Sequence, residues 1–202
     1  MKTQQLYEHL ERIANLLRTD TRKSGVGKGL QPVQMEALHY LGSCNRYSNT
    51  PAAVADYLGL TKGTVSQTLG VLDASGLIER KPDVKDRRVV HLSLTERGRQ
   101  VLAESIPPKT LKNAIALLPQ RDRETAVAVL NQILRALQQA NKLRTFGVCK
   151  SCRHHQLLAD GTRRCGLTGE QLQLEEIDKI CREHEIPELS RSSAVDVVDR
   201  KN

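Results

Sequence analysis

The feature that most constrains this chain is a change of hydrophobic period across residues 50–95. Thr50-Pro51 opens a short helical pattern, because Thr can accept from free first-turn amides and Pro is preset for the first helical position. Val54 and Leu58 form its inward side, and Gly59 ends it. Leu60 is followed by a second cap, Thr61, and by a helical pattern over 62–74 that packs through Val65, Leu69 and Leu72. Ser75-Gly76 stops it. The period then falls to two. LIERK reads as a strand, DVKDRR as a charged turn, and VVHLSLT as a second strand in which Val90, Leu92 and Leu94 alternate.

Two short capped helices joined by a glycine turn, followed by a hairpin with a cationic tip, make a winged helix–turn–helix. The second helix starts at Thr61. It shows Lys62, Gly63, Thr64, Ser66, Gln67 and Thr68 on its outer side. Small hydrogen-bonding side chains of this kind can enter a major groove and read base edges. The hairpin tip offers Lys85, Arg87 and Arg88 to a phosphate or a narrow minor groove. Asp86 alone would repel DNA, so it is expected to pair with a neighbouring Arg and hold the turn.

The charge distribution agrees. Residues 1–145 hold 22 Lys and Arg against 13 Asp and Glu, and residues 146–202 hold 9 against 10, so the net charge of +8 belongs to the first part of the chain. A basic domain attracts polyanions. Aromatic residues are 2% with no Trp, which predicts an aliphatic core and argues against stacking of single-stranded bases. No apolar run is long enough to cross a bilayer. The polar N-terminus lacks the apolar core of a signal peptide, so a cytoplasmic protein is expected. Its five Cys are then thiols or metal ligands rather than disulfides.

Flanking the head, residues 3–18 read as a helix with an apolar stripe at Leu6, Leu10, Ile13 and Leu17, and TDTRKSGVGKG reads as a connector. The connector is no phosphate loop: Lys28 is followed by Gly29, and the first Gly of that motif is missing. A helix over 32–44 starts at Pro32. Another follows Thr95 and is broken at Pro107-Pro108. Stretches near 109–118 and 121–143 are helical, the second with a heptad-like seam of Val127, Leu130, Leu134 and Leu137. These unpartnered seams predict a homodimer.

Leu60-Thr61-Lys62-Gly63-Thr64-Val65-Ser66, Leu77-Ile78-Glu79-Arg80, Asp86-Arg87-Arg88 and Leu92-Ser93-Leu94-Thr95 with Gly98 together resemble the MarR family of bacterial transcription regulators, over roughly residues 3–143. The resemblance implies a dimer built from the N-terminal helix and the last long helices, each head contacting half of a pseudo-palindromic operator. It implies that Thr64, Ser66 and Gln67 read bases, that Arg87 enters the minor groove, and that Asp86 and Arg88 brace the wing. It also implies that a small ligand or an oxidant shifts the spacing of the two heads.

After Leu143 the sequence departs from that pattern. Cys149, Cys152, Cys165 and Cys181 are spaced C-x2-C-x12-C-x15-C. Such clustering points to metal. One pair followed by two isolated cysteines is expected to hold a 4Fe–4S cluster, whose bulk lets it draw ligands from separated segments. The alternatives are Zn2+, with Cys181-x2-His184 as a second pair and His154 and His155 nearby, and redox-active thiols without metal. Lys150, Arg153, Arg163, Arg164 and Arg182 are expected to lower the thiol pKa values. Cys44 is expected to be a buried apolar residue. A nucleic-acid enzyme finds little support: Glu183 and Glu185 flank His184, but no convincing acid–base pair or nucleophile motif is present.

The fold class expected is therefore mainly α: a winged helix–turn–helix with a helical dimerisation region and a small C-terminal Cys-rich metal segment. The expected organisation is a dimerisation helix and linker over 1–30, the DNA-binding domain over 31–100, dimerisation helices over 101–145, the cysteine segment over 146–186 and a flexible tail over 187–202. Double-stranded DNA, a second copy of the chain and a small-molecule or redox effector are the expected partners.

Overall fold

The computed structural model describes residues 2–84, 86–140 and 144–187. Lys85 and all but the first residue of the expected tail therefore lie outside the described residues.

Helix α1 spans Lys2–Val26 and absorbs most of the expected connector. Nothing in Thr19–Ser24 breaks a helix, and the chain turns only where Leu30 N donates to Gly25 O at 2.9 Å. Helices α2 (Pro32–Ser43), α3 (Pro51–Leu58) and α4 (Lys62–Ala74) follow. The caps read from the sequence are in place. Thr50 accepts from Ala53 N at 3.3 Å, and Thr61 accepts from Thr64 N at 3.2 Å. Gly59, at φ 64, turns the chain between α3 and α4 in the left-handed region.

Strands β1 (Ile78–Pro82) and β2 (Val90–Leu94) pair antiparallel, with Ile78 opposite Leu94 and Arg80 opposite Leu92. Their common inward face is Ile78, Leu92 and Leu94. The hairpin is tied to the α2–α3 loop: Leu92 N donates to Asn49 O at 2.7 Å, and His91 lies between Asn49 Oδ1 at 2.6 Å and Asp83 Oδ2 at 3.1 Å. Helix α5 (Glu96–Ser105) returns beside α2.

The core joins Met35, Ala37, Leu38 and Leu41 of α2 to Ala53 and Val54 of α3, to Val65, Leu69 and Leu72 of α4, and to the strand residues. Each such aliphatic side chain contributes roughly 1.5–3 kcal/mol by leaving water. The expectation of an entirely aliphatic core is corrected at one place. Tyr40 is fully buried, its hydroxyl donates to Ser48 O at 2.8 Å, and its ring stands 4.5 Å from that of Tyr57 and 6.1 Å from that of Phe146. Three of the five aromatic rings thus meet at one point. Scarcity of aromatics in the composition carries no information about their clustering.

Helices α6 (Lys109–Ala116) and α7 (Gln120–Ala140) hold no buried residue. Leu6 and Ile13 of α1 and Leu130, Leu134 and Leu137 of α7 remain about half exposed. Among the described residues no helix is long and apolar enough to cross a membrane. The cysteine segment is a compact fold of short pieces: a 3-10 turn at Cys149–Ser151, β3 (His155–Leu157) paired antiparallel with β4 (Arg163–Cys165), and α8 (Leu174–Ile177).

Gly98 shows how tightly α5 is seated. A Cβ there would lie 2.0 Å from Leu77 O, which is backbone and cannot swing aside. Gly98→Ala is expected to lower stability by about 2 kcal/mol in urea unfolding. Gly70→Ala, whose Cβ would meet nothing within 4 Å inside α4, is expected to be neutral or stabilising. Equal effects of the two would contradict this packing.

Candidate nucleic-acid interface and cysteine cavity

Helix α4 is amphipathic in a strict sense. Val65, Thr68, Leu69 and Leu72 occupy the i, i+3, i+4 and i+7 positions that face the core. Lys62, Gly63, Thr64, Ser66 and Gln67 are left outside. Thr68 is a correction to the expected outward set. It is 6% exposed, and its hydroxyl donates to Thr64 O at 2.8 Å, so it can reach no base. Hydroxyl chemistry alone suggested the outer face. The helical phase places it inside, where a backbone carbonyl satisfies it. Thr61 is engaged as the cap, its Oγ1 also 3.0 Å from Thr64 Oγ1.

The wing turn is braced from within. Arg88 donates through Nε to Asp86 Oδ1 at 3.0 Å and through Nη2 to Oδ2 at 2.9 Å, and its amide donates to Oδ1 at 3.0 Å. Asp86 N in turn donates to Asp83 Oδ1 at 2.8 Å. Arg87 is exposed at the tip, and no described residue pairs with it. Between wing and helix runs a groove of about 560 Å³ lined by residues that include Lys62, Ser66, Arg80, Arg88 and Arg182. The polar face of α4 and the cations of the wing therefore border one continuous surface, with positive charge at both edges.

A profile of the MarR family matches residues 28–89. Over those residues the head is similar to the MarR family. The Escherichia coli (strain K12) transcriptional repressor MprA is 28% identical over 114 residues, which is 55% of this chain; the chain spans 65% of that repressor's length. The Staphylococcus aureus MepR–DNA complex superimposes with a TM-score of 0.52 at 26% identity, covering 65% of this chain and 98% of that one. Streptococcus pneumoniae FabT in complex with DNA gives 0.57 at 25% identity, covering 68% and 99%. About a third of this chain thus lies outside each of these two structural matches, beyond what the MarR-type likeness describes.

The four tail cysteines converge. Cys149, Cys152, Cys165 and Cys181 line one mostly enclosed cavity of about 40 Å³, with His154, His155, Leu167 and Leu172 in its wall. Asn45 and Tyr47 of the head complete that wall. The space is roughly three times what one water needs, and its lining is apolar. Among the described residues no group of three or more Cys, His, Asp or Glu is drawn in closely enough to hold a single metal ion. The four thiols border one shared space.

The electrostatics differ from expectation. Burial pushes the Cys149 thiol up to about 12, and burial likewise raises Cys181 despite hydrogen bonds from Asn45, the Glu183 backbone and Ser48. Three of the five basic residues expected beside the thiols pair with carboxylates. Lys150 pairs with Asp178 at 2.5 Å, Arg153 with Glu185 at 3.0 Å and Arg182 with Asp56 at 2.6 Å. Cys44 is buried in the head and does not border the cavity.

The histidines separate by role. His184 is buried, with Nδ1 2.6 Å from Thr145 Oγ1 and Nε2 3.0 Å from Ser151 Oγ. Both ring nitrogens are engaged, and His184 is not in the cavity wall. Burial lowers the His184 pKa, keeping the ring neutral in that network. His155 Nε2 is buried against the cavity without a hydrogen-bond partner, and His154 Nε2 has only Glu185 Oε1, at 3.4 Å and poorly aligned. Orphaned buried nitrogens beside four thiols are an observation that a bound group would explain.

The wing brace makes a checkable electrostatic statement. The Arg88 hydrogen bonds hold the Asp86 carboxyl below its ordinary value of 3.8. The charged carboxylate is the favoured partner, so the brace is intact above that depressed midpoint and is lost as pH falls through it. Arg88→Ala is expected to move the Asp86 titration upward in carbon-13 NMR. An unmoved midpoint would mean the brace does not persist in solution.

Proposed function

We propose that the protein is a DNA-binding transcriptional regulator, not an enzyme, that acts as a homodimer on a pseudo-palindromic operator in the cytoplasm. The observation that carries the reading is the single groove bordered by the outer face of α4 and by the wing. Lys62, Thr64, Ser66 and Gln67 project from a rigid, capped helix. Side chains so held can hydrogen-bond base edges, and exposed Arg87 can reach a phosphate or a narrow minor groove. Asp86 and Arg88 shape the tip, and Thr61 orients the start of the helix. Lys85 belongs to the same tip by sequence. The MepR and FabT complexes with DNA and the repressor MprA support carrying this activity over.

Dimerisation rests on the half-exposed leucine seams of α1 and α7, which no described element covers. The Glu183-His184-Glu185 run supports no catalysis. Glu183 is paired with Arg144 at 3.0 Å, Glu185 with Arg153, and His184 with two hydroxyls.

The finer part of the proposal concerns the tail. Cys149, Cys152, Cys165 and Cys181 hold a 4Fe–4S cluster that makes DNA binding responsive to redox state or iron supply. What supports it is the convergence of four separated thiols on one apolar cavity, with His155 Nε2 buried there without a partner. When bound, such a cluster supplies a one-electron couple and lability toward oxidants. The chain's own contribution is to exclude water through Leu167 and Leu172 and to donate the Glu185 amide to Cys152 Sγ at 3.4 Å.

Two measurements test these statements. Fluorescence anisotropy with a selected duplex should show affinity falling steeply with salt. Arg87→Ala should reduce the log–log slope by about one, and Gln67→Ala should cost about 1–3 kcal/mol and relax sequence preference at one position. Absence of salt-sensitive duplex binding would remove the regulator reading. Separately, anaerobically purified protein should be brown with roughly four iron and four sulfide per chain, and Cys165→Ser should lose most of both. Colourless protein containing zinc would replace the cluster by a structural Zn2+ site.

A further inference from the structure

We infer that the cysteine centre acts on the helix–turn–helix directly, through the Cys181-Arg182 segment, with Arg182 as the positioning residue that transmits occupancy of the cavity to α3. This deepens the cluster reading above and rests on it.

The geometry is a rung between two edges. On one side Ile180 N donates to Ser43 O at 2.9 Å and Asn45 N donates to Ile180 O at 2.9 Å, a parallel bridge to the end of α2. On the other side Cys149 N donates to Lys179 O at 3.1 Å and Cys181 N to Gly147 O at 2.9 Å, an antiparallel bridge. The backbone that carries the last cysteine is therefore hydrogen-bonded to the head and to the first cysteine loop at once. The head is also part of the cavity itself, since Asn45 and Tyr47 stand in its wall.

Arg182 extends this rung to the recognition unit. Its amide donates to Ser48 Oγ at 2.8 Å, and Ser48 is fully buried. Its guanidinium donates through Nε and Nη2 to Asp56 Oδ2 on α3 at 2.9 and 2.6 Å. Arg144 approaches the same carboxylate at 3.6 Å. Arg182 also lines the groove that holds Lys62, Ser66 and Arg88. The clamp has two effects. It fixes α3 against the tail, and it neutralises a carboxylate on the helix that, in this motif, crosses the DNA backbone.

The tail cannot hold this arrangement by its own core. Its buried residues among those described are Cys149, Leu172, Glu176 and His184. A segment this small normally needs a metal or an equivalent staple to stay folded. Filling the cavity keeps the rung straight and Arg182 on Asp56. Emptying it frees both, leaving Asp56 charged and α3 less constrained. The occupied protein is accordingly the form that binds DNA tightly.

The experiment compares full-length protein, loaded anaerobically with iron and sulfide or stripped of iron, on one duplex. Stripping the wild type is expected to weaken binding by about tenfold and to speed hydrogen exchange of the α3 amides, with the dimer unchanged in sedimentation. Arg182→Ala is expected to keep the cluster spectrum and iron content, to bind when loaded like stripped wild type, and to respond to stripping by less than about twofold. Asp56→Asn separates the clamp from direct contact. It removes the carboxylate that the clamp neutralises but leaves Arg182, so the clamp requires the response to stripping to fall below about twofold, whereas a purely direct role for Arg182 at the DNA leaves that response full. Loaded and stripped wild type of equal affinity, or an Arg182→Ala protein that still responds fully to stripping, would overturn the inference while leaving the cluster intact. Anaerobic protein without iron or cluster absorbance would overturn the cluster reading itself, and this inference with it.

Discussion

Burial of Val65, Leu69 and Leu72 against α2, α3 and the strand pair is the constraint on which the rest of the molecule depends. It sets the rotation of α4 about its own axis and thereby decides which side chains remain outside. Because the helix starts on a Thr cap and ends at Ser75-Gly76, its axial position is fixed as well. The wing is then seated by the same core through Ile78, Leu92 and Leu94, and by the Asn49 contacts at its base. A DNA-facing surface made of polar side chains needs such a rigid apolar backing, since small displacements of a reading residue misalign its hydrogen bonds.

The cysteine segment follows a different physical logic. The head buries a continuous aliphatic core, whereas the tail has short elements, few buried apolar side chains and an apolar space enclosed by thiols. It is anchored to the head by backbone rungs at residues 179–181, by the Arg182–Asp56 pair and by the contacts of Phe146 with Tyr40 and Tyr57. Arg46 and Tyr47 add a second anchor, with Arg46 Nη2 donating to Gln171 O at 2.9 Å and Tyr47 OH to Glu170 Oε2 at 2.9 Å. A segment held in this way belongs mechanically to the head, whatever its proximity in sequence to α7.

Most of the head was legible from residues alone. Thr50, Thr61 and Thr95 announced three helix starts, and Gly59 announced the turn. The alternation of Val90, Leu92 and Leu94 announced the wing strand. These are local signals, each decided within a few residues. Sequence and structure part where a local signal is overruled by packing. The connector before Leu30 was helical because helix continues until something stops it, and polar composition alone does not. Thr68 looked like a reader because its hydroxyl is polar, while its helical phase belonged to the core. By sequence Lys150, Arg153 and Arg182 stand beside the cysteines, whereas in space their partners are carboxylates.

By itself, then, the sequence determined the caps, the periods, the cationic wing and the inventory of four clustered thiols, because each follows from neighbours along the chain. Only the tertiary structure decided that the thiols share one cavity, that His184 is held by Thr145 and Ser151 outside the cavity wall, and that the tail docks on α2 and α3. The reason is distance along the polymer. The Arg182–Asp56 bond joins residues 126 apart, and the Tyr47–Glu170 bond residues 123 apart. No periodicity or spacing encodes such a contact, which exists only once two independently patterned surfaces have packed together.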